Sequence, residues 1–197
     1  MKPLFIVISA PSGTGKTTLC DLLLETYPEL CYSVSCTTRI PRVNEEDGVD
    51  YHFIPEETFE RLLKEEQFLE HAQVHDNYYG TLKEPIYQAL RENQCMLLDI
   101  DVKGARQVRT FIQSLKEDDP LRSGFVDIFI KPPSMEELES RLRHRETDSD
   151  EVISRRLNNA REEMTHEKEY MFSVVNDELD KAYRKLCDII NVKSGIL

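Results

Sequence analysis

Ala10-Pro11-Ser12-Gly13-Thr14-Gly15-Lys16-Thr17 is the stretch that decides the fold. Ahead of it runs Leu4-Phe5-Ile6-Val7-Ile8, an apolar segment of the length of a buried strand. Behind it, Leu19, Leu22, Leu23 and Tyr27 recur on one helical stripe. Strand, glycine-bearing loop, Lys-Thr and helix is the context of a phosphate-binding loop, G-x-x-x-x-G-K-S/T. The glycines let successive backbone N–H groups converge on an anion, and the helix N-terminus adds the positive end of its dipole. Lys16 supplies a cation to β- and γ-phosphates, and the Thr17 hydroxyl suits Mg²⁺. Ala10 occupies the motif's first glycine position, which requires only a small side chain. Gly-Lys-Thr alone would be a glycine turn before an exposed lysine. The flanking strand and helix turn the reading toward nucleotide phosphates.

Working outward, 197 residues make one domain, or one core carrying inserted subdomains. A net charge of −12 argues against a surface that coats nucleic acid, whereas a binder of small anions needs only local positive charge. No segment approaches the ~18 apolar residues of a membrane span, and Met1-Lys2-Pro3 leads directly into the first strand without a signal peptide. The five cysteines, Cys20, Cys31, Cys36, Cys95 and Cys187, show no Cys-x-x-Cys spacing. They read as small buried hydrophobes kept reduced, which implies a cytoplasmic protein. The five histidines show no metal spacing.

Along the chain, Cys31 to Cys36 reads as a second strand and Tyr51 to Ile54 as a third. Pro55-Glu56-Glu57 opens a helix reaching about Gln67, since proline suits the first turn and acids its positive end. Ala72-Gln73-Val74 and Tyr78 to Thr81 form a strand pair around His75-Asp76-Asn77. Residues 35–82 thus make a small, mostly antiparallel insert. A helix from about Glu84 to Glu92 precedes the strand Cys95 to Asp101, whose aspartates fall where a carboxylate sits near Mg²⁺. Phe125 to Ile130 is a further strand, and Ser134-Met135-Glu136-Glu137 has capping-box spacing before a helix. Arg141, Arg143, Arg145, Arg155, Arg156 and Arg161 cluster around the polar break Glu146 to Asp150. Some must be solvated helix charges, but an arginine-bearing hairpin beside a phosphate site can also be a closing lid. Phe172 to Asp177 is the last strand, and Leu179 to Ile190 the last helix. The alternation specifies a doubly wound parallel α/β sheet, with Ser35, Asp99, Asp101 and Asn176 near carboxyl strand ends, where ligands bind.

A phosphate loop leaves hydrolase, switch and kinase open. Asp99-x-Asp101, the small insert and the arginine-rich hairpin favour a kinase of small acceptors, which must hold two anionic substrates and exclude water.

The runs Ser35-Cys36-Thr37-Thr38-Arg39-Ile40-Pro41-Arg42, Gly48-Val49-Asp50-Tyr51, Glu70 with Ala72-Gln73, and Asn77-Tyr78-Tyr79-Gly80-Thr81 narrow the choice. So do Leu98 to Gly104, Arg141 to Arg145, Arg156 and Val175-Asn176-Asp177. In order and spacing, over nearly the whole chain, they resemble guanylate kinases. The resemblance implies a core of 1–34, 83–140 and 158–197, a GMP-binding insert of 35–82 and a lid of 141–157. It implies transfer of the ATP γ-phosphoryl group to GMP, with dGMP as a second acceptor, in purine nucleotide metabolism. Ser35, Arg39, Arg42, Tyr51 and Tyr79 would hold the GMP phosphate, and Glu70, Thr81 and Asp101 would read guanine. Ala10 to Thr18, including Pro11, Ser12, Gly13, Thr14 and Gly15, would hold ATP with Arg141, and Asn176 would lie near adenine. Lys16, Arg39, Arg42, Arg145 and Arg156 would stabilise the transferring group, and Thr17 and Asp99 would take Mg²⁺ directly or through water. No nucleic acid or membrane partner is implied, and either a monomer or a homodimer suits the chain.

Taken singly, Arg39 and Arg42 would be turn residues, Tyr51 and Tyr79 sheet residues, and Glu70 a surface acid. Their joint spacing overturns this. The sequence departs from the family pattern at Ala10, at Thr81 where serine is commoner, and at Glu146 where glycine is usual. Two alternatives stay open, a catalytically silent protein-binding module of the same fold and a related kinase of a sugar phosphate.

Overall fold

A computed structural model describes residues 2–144 and 149–195. Arg145 and Glu146 lie outside the described residues. The chain begins with β1 (Phe5–Ser9) and α1 (Lys16–Thr26), then β2 (Leu30–Tyr32), and departs through β3 (Cys36–Thr37), β4 (His52–Phe53), α2 (Glu56–Lys64), β5 (Phe68–Val74) and β6 (Asn77–Leu82). It returns through α3 (Lys83–Arg91), β7 (Cys95–Asp99), α4 (Val102–Ser114), the short α5 (Pro120–Ser123) and β8 (Phe125–Lys131). The hairpin α6 (Met135–His144) and α7 (Asp150–Met164) follows, then β9 (Phe172–Val175) and α8 (Leu179–Ser194).

Five parallel strands in the order β2-β7-β1-β8-β9 form the main sheet. Because side chains alternate along a strand, β1 supplies both faces. Leu4, Ile6 and Ile8 pack with Leu19 and Leu23 of α1 and Leu186 and Ile189 of α8. Phe5 and Val7 pack on the other side with Ile86 of α3 and with Ala105, Val108 and Ile112 of α4. The order puts β7 beside β1, with Asp99 in register with Ile8. The loop after β1 and the acids after β7 therefore emerge together at the carboxyl end of the sheet.

The second sheet, β4-β3-β6-β5, pairs β3 with β6 and β5 with β6 antiparallel, and β3 with β4 parallel. It has its own small core, where Phe59 stacks on Phe68 at 4.3 Å and on Tyr78 at 5.3 Å between ring centres. The α6–α7 hairpin likewise packs on itself through Leu138, Leu142, Ile153, Leu157 and Ala160. Ser134 Oγ accepts the Glu137 N–H at 3.1 Å, as the capping-box spacing anticipates.

Two differences from the sequence reading stand out. The strand expected over Cys31 to Cys36 is two strands in two sheets. The Ser33 N–H makes a last bond to Leu97 O at 2.8 Å, and the chain then crosses to the second sheet. A period-2 pattern records alternation but not a change of partner. The helix α4, to which the sequence reading assigned nothing, buries Val102, Ala105, Val108 and Ile112. Gly104 and the charges between these positions mask its stripe. Among the described residues no helix is long and apolar enough to cross a membrane, and all five cysteines are free thiols.

Candidate functional site

The loop between β1 and α1 is held in a conformation that its glycines permit. Gly13 and Gly15 both have φ of +90°. A Cβ on Gly15 would meet Asn176 Nδ2 at 2.6 Å, and one on Gly13 would meet Leu142 Cδ2 at 2.8 Å. Thr14 Oγ1 donates to Pro11 O at 2.6 Å, and Asn176 Nδ2 donates to Thr14 O at 2.7 Å. Asn176 is itself buried, with its N–H on Lys131 O at 2.8 Å. Its amide thus braces the loop from the next strand but one.

Above the loop lies a cavity of about 340 Å³, lined by Ala10 to Gly13, Gly15 to Thr18 and Glu163 of α7. Lys16 forms an ion pair with Asp99 at the end of β7. Burial pulls the Lys16 ammonium below its usual value, against Cys20 and the carboxylates of Glu163 and Asp101. Burial pushes the Glu163 carboxyl up to about 7, with Asp101 adding to the rise. Arg156 Nη1 reaches Ser12 Oγ at 3.5 Å. Arg141 donates to the carbonyls of Asn176 at 2.9 Å and Asp177 at 3.3 Å, and to Glu137 at 2.9 Å.

A second cavity of about 190 Å³ opens between the second sheet and the end of β7. Ser35, Tyr51, Glu70 and Tyr79 line it together with Asp99 and Asp101. Glu70 is only 6% exposed. Its Oε1 accepts from Thr81 Oγ1 at 2.6 Å, and Thr81 Oγ1 lies 3.1 Å from Ser35 Oγ. Burial raises the Glu70 carboxyl above the ordinary carboxylate range; the Thr81 hydrogen bond opposes the rise and Asp101 adds to it. Asp101 caps α4 by accepting the Gly104 N–H at 2.7 Å.

At the rim, the Arg39 fork takes both Glu45 oxygens at 2.9 Å, and its Nε donates to Tyr79 OH at 3.2 Å. The guanidinium lies 5.6 Å from the Tyr51 ring centre. Arg42 is exposed and meets Glu45 through its backbone N–H at 2.8 Å. Asp99 links the two cavities: it lines the second and pairs with Lys16, which lines the first.

Sequence reasoning missed Glu45 and Glu163. The first sits in an acidic loop and the second in the acidic end of α7. Both patterns read as solvated surface, and no spacing signal separates these two acids from their neighbours.

A glycine loop at the carboxyl end of a parallel sheet, joined through one carboxylate to a second polar pocket, defines an enzyme acting on nucleotide phosphates. Wider comparison narrows the class. The family model for guanylate kinase matches residues 2–193. The guanylate kinase of Nitrosospira multiformis is 47% identical over 187 residues, 95% of this chain and 84% of that protein. That of Methylobacillus flagellatus is 47% identical over 190 residues, covering 96% and 89%. The crystal structure of guanylate kinase from Anaplasma phagocytophilum superposes with a TM-score of 0.72 at 30% identity, covering 98% of this chain and 86% of that one. The chain belongs to the guanylate kinase family. Guanylate kinases are nucleoside monophosphate kinases, and so phosphotransferases.

Proposed function

We propose that the protein transfers the γ-phosphoryl group of ATP to GMP, giving ADP and GDP, with the cavity over Lys16 as donor site and the cavity beside Glu70 as acceptor site. The Lys16–Asp99 pair carries this reading: Lys16 lines the first cavity and Asp99 the second, so a γ-phosphate held by Lys16 lies toward the acceptor pocket. The loop N–H groups and Lys16 bind the donor phosphates with Arg156 and Arg141, and the family resemblance gives Arg145, outside the described residues, the same role. Phosphoryl transfer needs no covalent intermediate. These residues act by aligning two anions and by stabilising charge spread over the moving group.

On the acceptor side, Arg39 and Arg42 take the GMP phosphate with Ser35, Tyr51 and Tyr79. A fork of guanidinium donors matches phosphate oxygens, and tyrosine hydroxyls add neutral donors. Guanine presents N1–H and the 2-amino group as donors, which the buried Glu70 carboxylate accepts, with Thr81 and Asp101 beside it. Adenine presents an acceptor at N1 and meets repulsion there. dGMP serves as a second acceptor.

The residues present fit Mg²⁺. Thr17 lines the donor cavity and Asp99 stands against Lys16 at its edge, so the two offer hard oxygen donors. That suits an ion held mainly by phosphates and water. When bound, Mg²⁺ would neutralise phosphate charge next to Lys16. The separate small cores of the second sheet and the helical hairpin support a division into a core of 1–34, 83–140 and 158–197, an insert of 35–82 and a lid of 141–157. Five free thiols support a cytoplasmic setting.

The test is ADP release from ATP and Mg²⁺ with GMP, AMP, CMP and UMP in turn. Turnover with GMP alone is expected. Comparable turnover with AMP would remove the assignment of the second cavity, and GMP binding without turnover would leave a silent binding module.

A further inference from the structure

Among the described residues, the strand β5 lies at the edge of its sheet, with β6 on one side and no strand on the other. In an antiparallel pair, the N–H and C=O of one residue point the same way, both to the partner strand or both away. Outward groups on an edge need other partners. At His71 a single side chain of the main domain takes both. The His71 N–H donates to Gln107 Oε1 at 3.1 Å, and Gln107 Nε2 donates to His71 O at 2.8 Å. A primary amide carries the donor and acceptor of a peptide unit, so Gln107 replaces one residue of a missing neighbour strand.

The position of this clasp gives it a consequence. His71 directly follows Glu70, and the β5–β6 ladder shifts register between Phe68 and Glu70. A bulge bends the strand and leaves the ladder a poor guide to where the next side chain points. Helix α4 compensates with residues at a spacing of three. Asp101 lines the same cavity as Glu70. Gly104 leaves room for Glu70, since a Cβ there would stand 3.0 Å from Glu70 Oε2. Gln107 then fixes the backbone of the following residue.

We propose that Gln107 is a positioning residue for guanine recognition, clasping β5 to α4 so that Glu70 and Asp101 meet the base in one fixed geometry. The inference rests on the reading of Glu70 as the carboxylate that contacts guanine. Gln107 does not itself line the cavity and acts through Glu70.

The experiment is a double-mutant cycle on the full chain, read by calorimetric GMP binding and by separate KM values for GMP and ATP. Gln107→Met keeps the bulk of the side chain and removes both hydrogen bonds; Gln107→Ala is the second variant, and thermal melting monitors the fold of each. Loss of the clasp is expected to weaken GMP binding about tenfold. The ATP KM should stay within about twofold, and the Gln107→Met effect should vanish in a Glu70→Ala background. A purely structural bond would instead affect both substrates, or add in full to Glu70→Ala, and either result overturns the proposal. So does unchanged GMP affinity in both Gln107 variants. Failure of the underlying reading is separately visible, as GMP affinity that Glu70→Ala alone leaves intact, and it takes the proposal down with it.

Discussion

The loop over Lys16 comes from one uninterrupted run between β1 and α1, whereas the pocket beside Glu70 draws Ser35, Tyr51, Glu70, Tyr79 and Asp101 from five separate segments. The first is chiefly a backbone device. Its shape follows from two glycines at φ of +90° and from the bonds of Thr14 and Asn176, so Ala10 can stand in for a glycine without disturbing it. The second is a side-chain device whose geometry depends on how two sheets and α4 are joined. Damage to the first should appear in the rate, and damage to the second in which acceptor binds and how tightly.

The largest effect tests this division at its centre. Lys16→Ala should lower kcat by about a thousandfold, by analogy with the loss of one preorganised charge-stabilising donor. GMP affinity should change little, because Lys16 faces the other cavity. If GMP binding, measured without ATP, fell as far as kcat, the two cavities would be one site and the comparison would fail.

Next in size is the acceptor rim. The Arg39 guanidinium is held by Glu45, Tyr79 and the Ile40 carbonyl, and lies by the rings of Tyr51 and Phe53. Arg39→Lys keeps the charge but loses the fork, so the KM for GMP should rise about 10- to 30-fold while the KM for ATP holds. An equal rise in both would mean that the rim acts on the fold rather than on the acceptor.

The same contrast governs what could be read from the sequence. The loop was legible because its determinants are contiguous: an apolar run, two glycines, Lys-Thr and a helical stripe. The centre of the main sheet was legible for the same reason, since Phe5 to Ile8 of β1 and Cys95 to Leu98 of β7 are unbroken apolar runs; the edge strand β2 was not, because its pattern runs on into β3. Around Glu70, each residue alone looked like ordinary turn, sheet or surface, and only the joint spacing across the chain spoke for a site. The joints themselves left no trace. Gln107 is a polar residue on a helix that went unassigned, Glu45 sits in an acidic loop, and Glu163 follows another glutamate. What pairs with what across the fold is decided by tertiary packing, which no local period records.

Glu163 offers the smallest effect and a check on the loop's surroundings. It lines the cavity over Lys16, and burial carries its carboxyl from an ordinary 4.5 up to about 7. A carboxyl that holds its proton more tightly when folded favours the folded state below its unfolded value near 4.5. That contribution is lost as the pH rises through about 7, where a charge must be buried instead. Glu163→Gln is neutral at every pH. Without nucleotide it should match the parent near pH 4.5 and melt about 1–3 °C higher at pH 8, a modest gain because the group is partly solvated and Lys16 offsets some of the charge. A gap that does not open between those pH values would mean that Glu163 stands in water, and that the cavity over Lys16 is bounded by the loop alone.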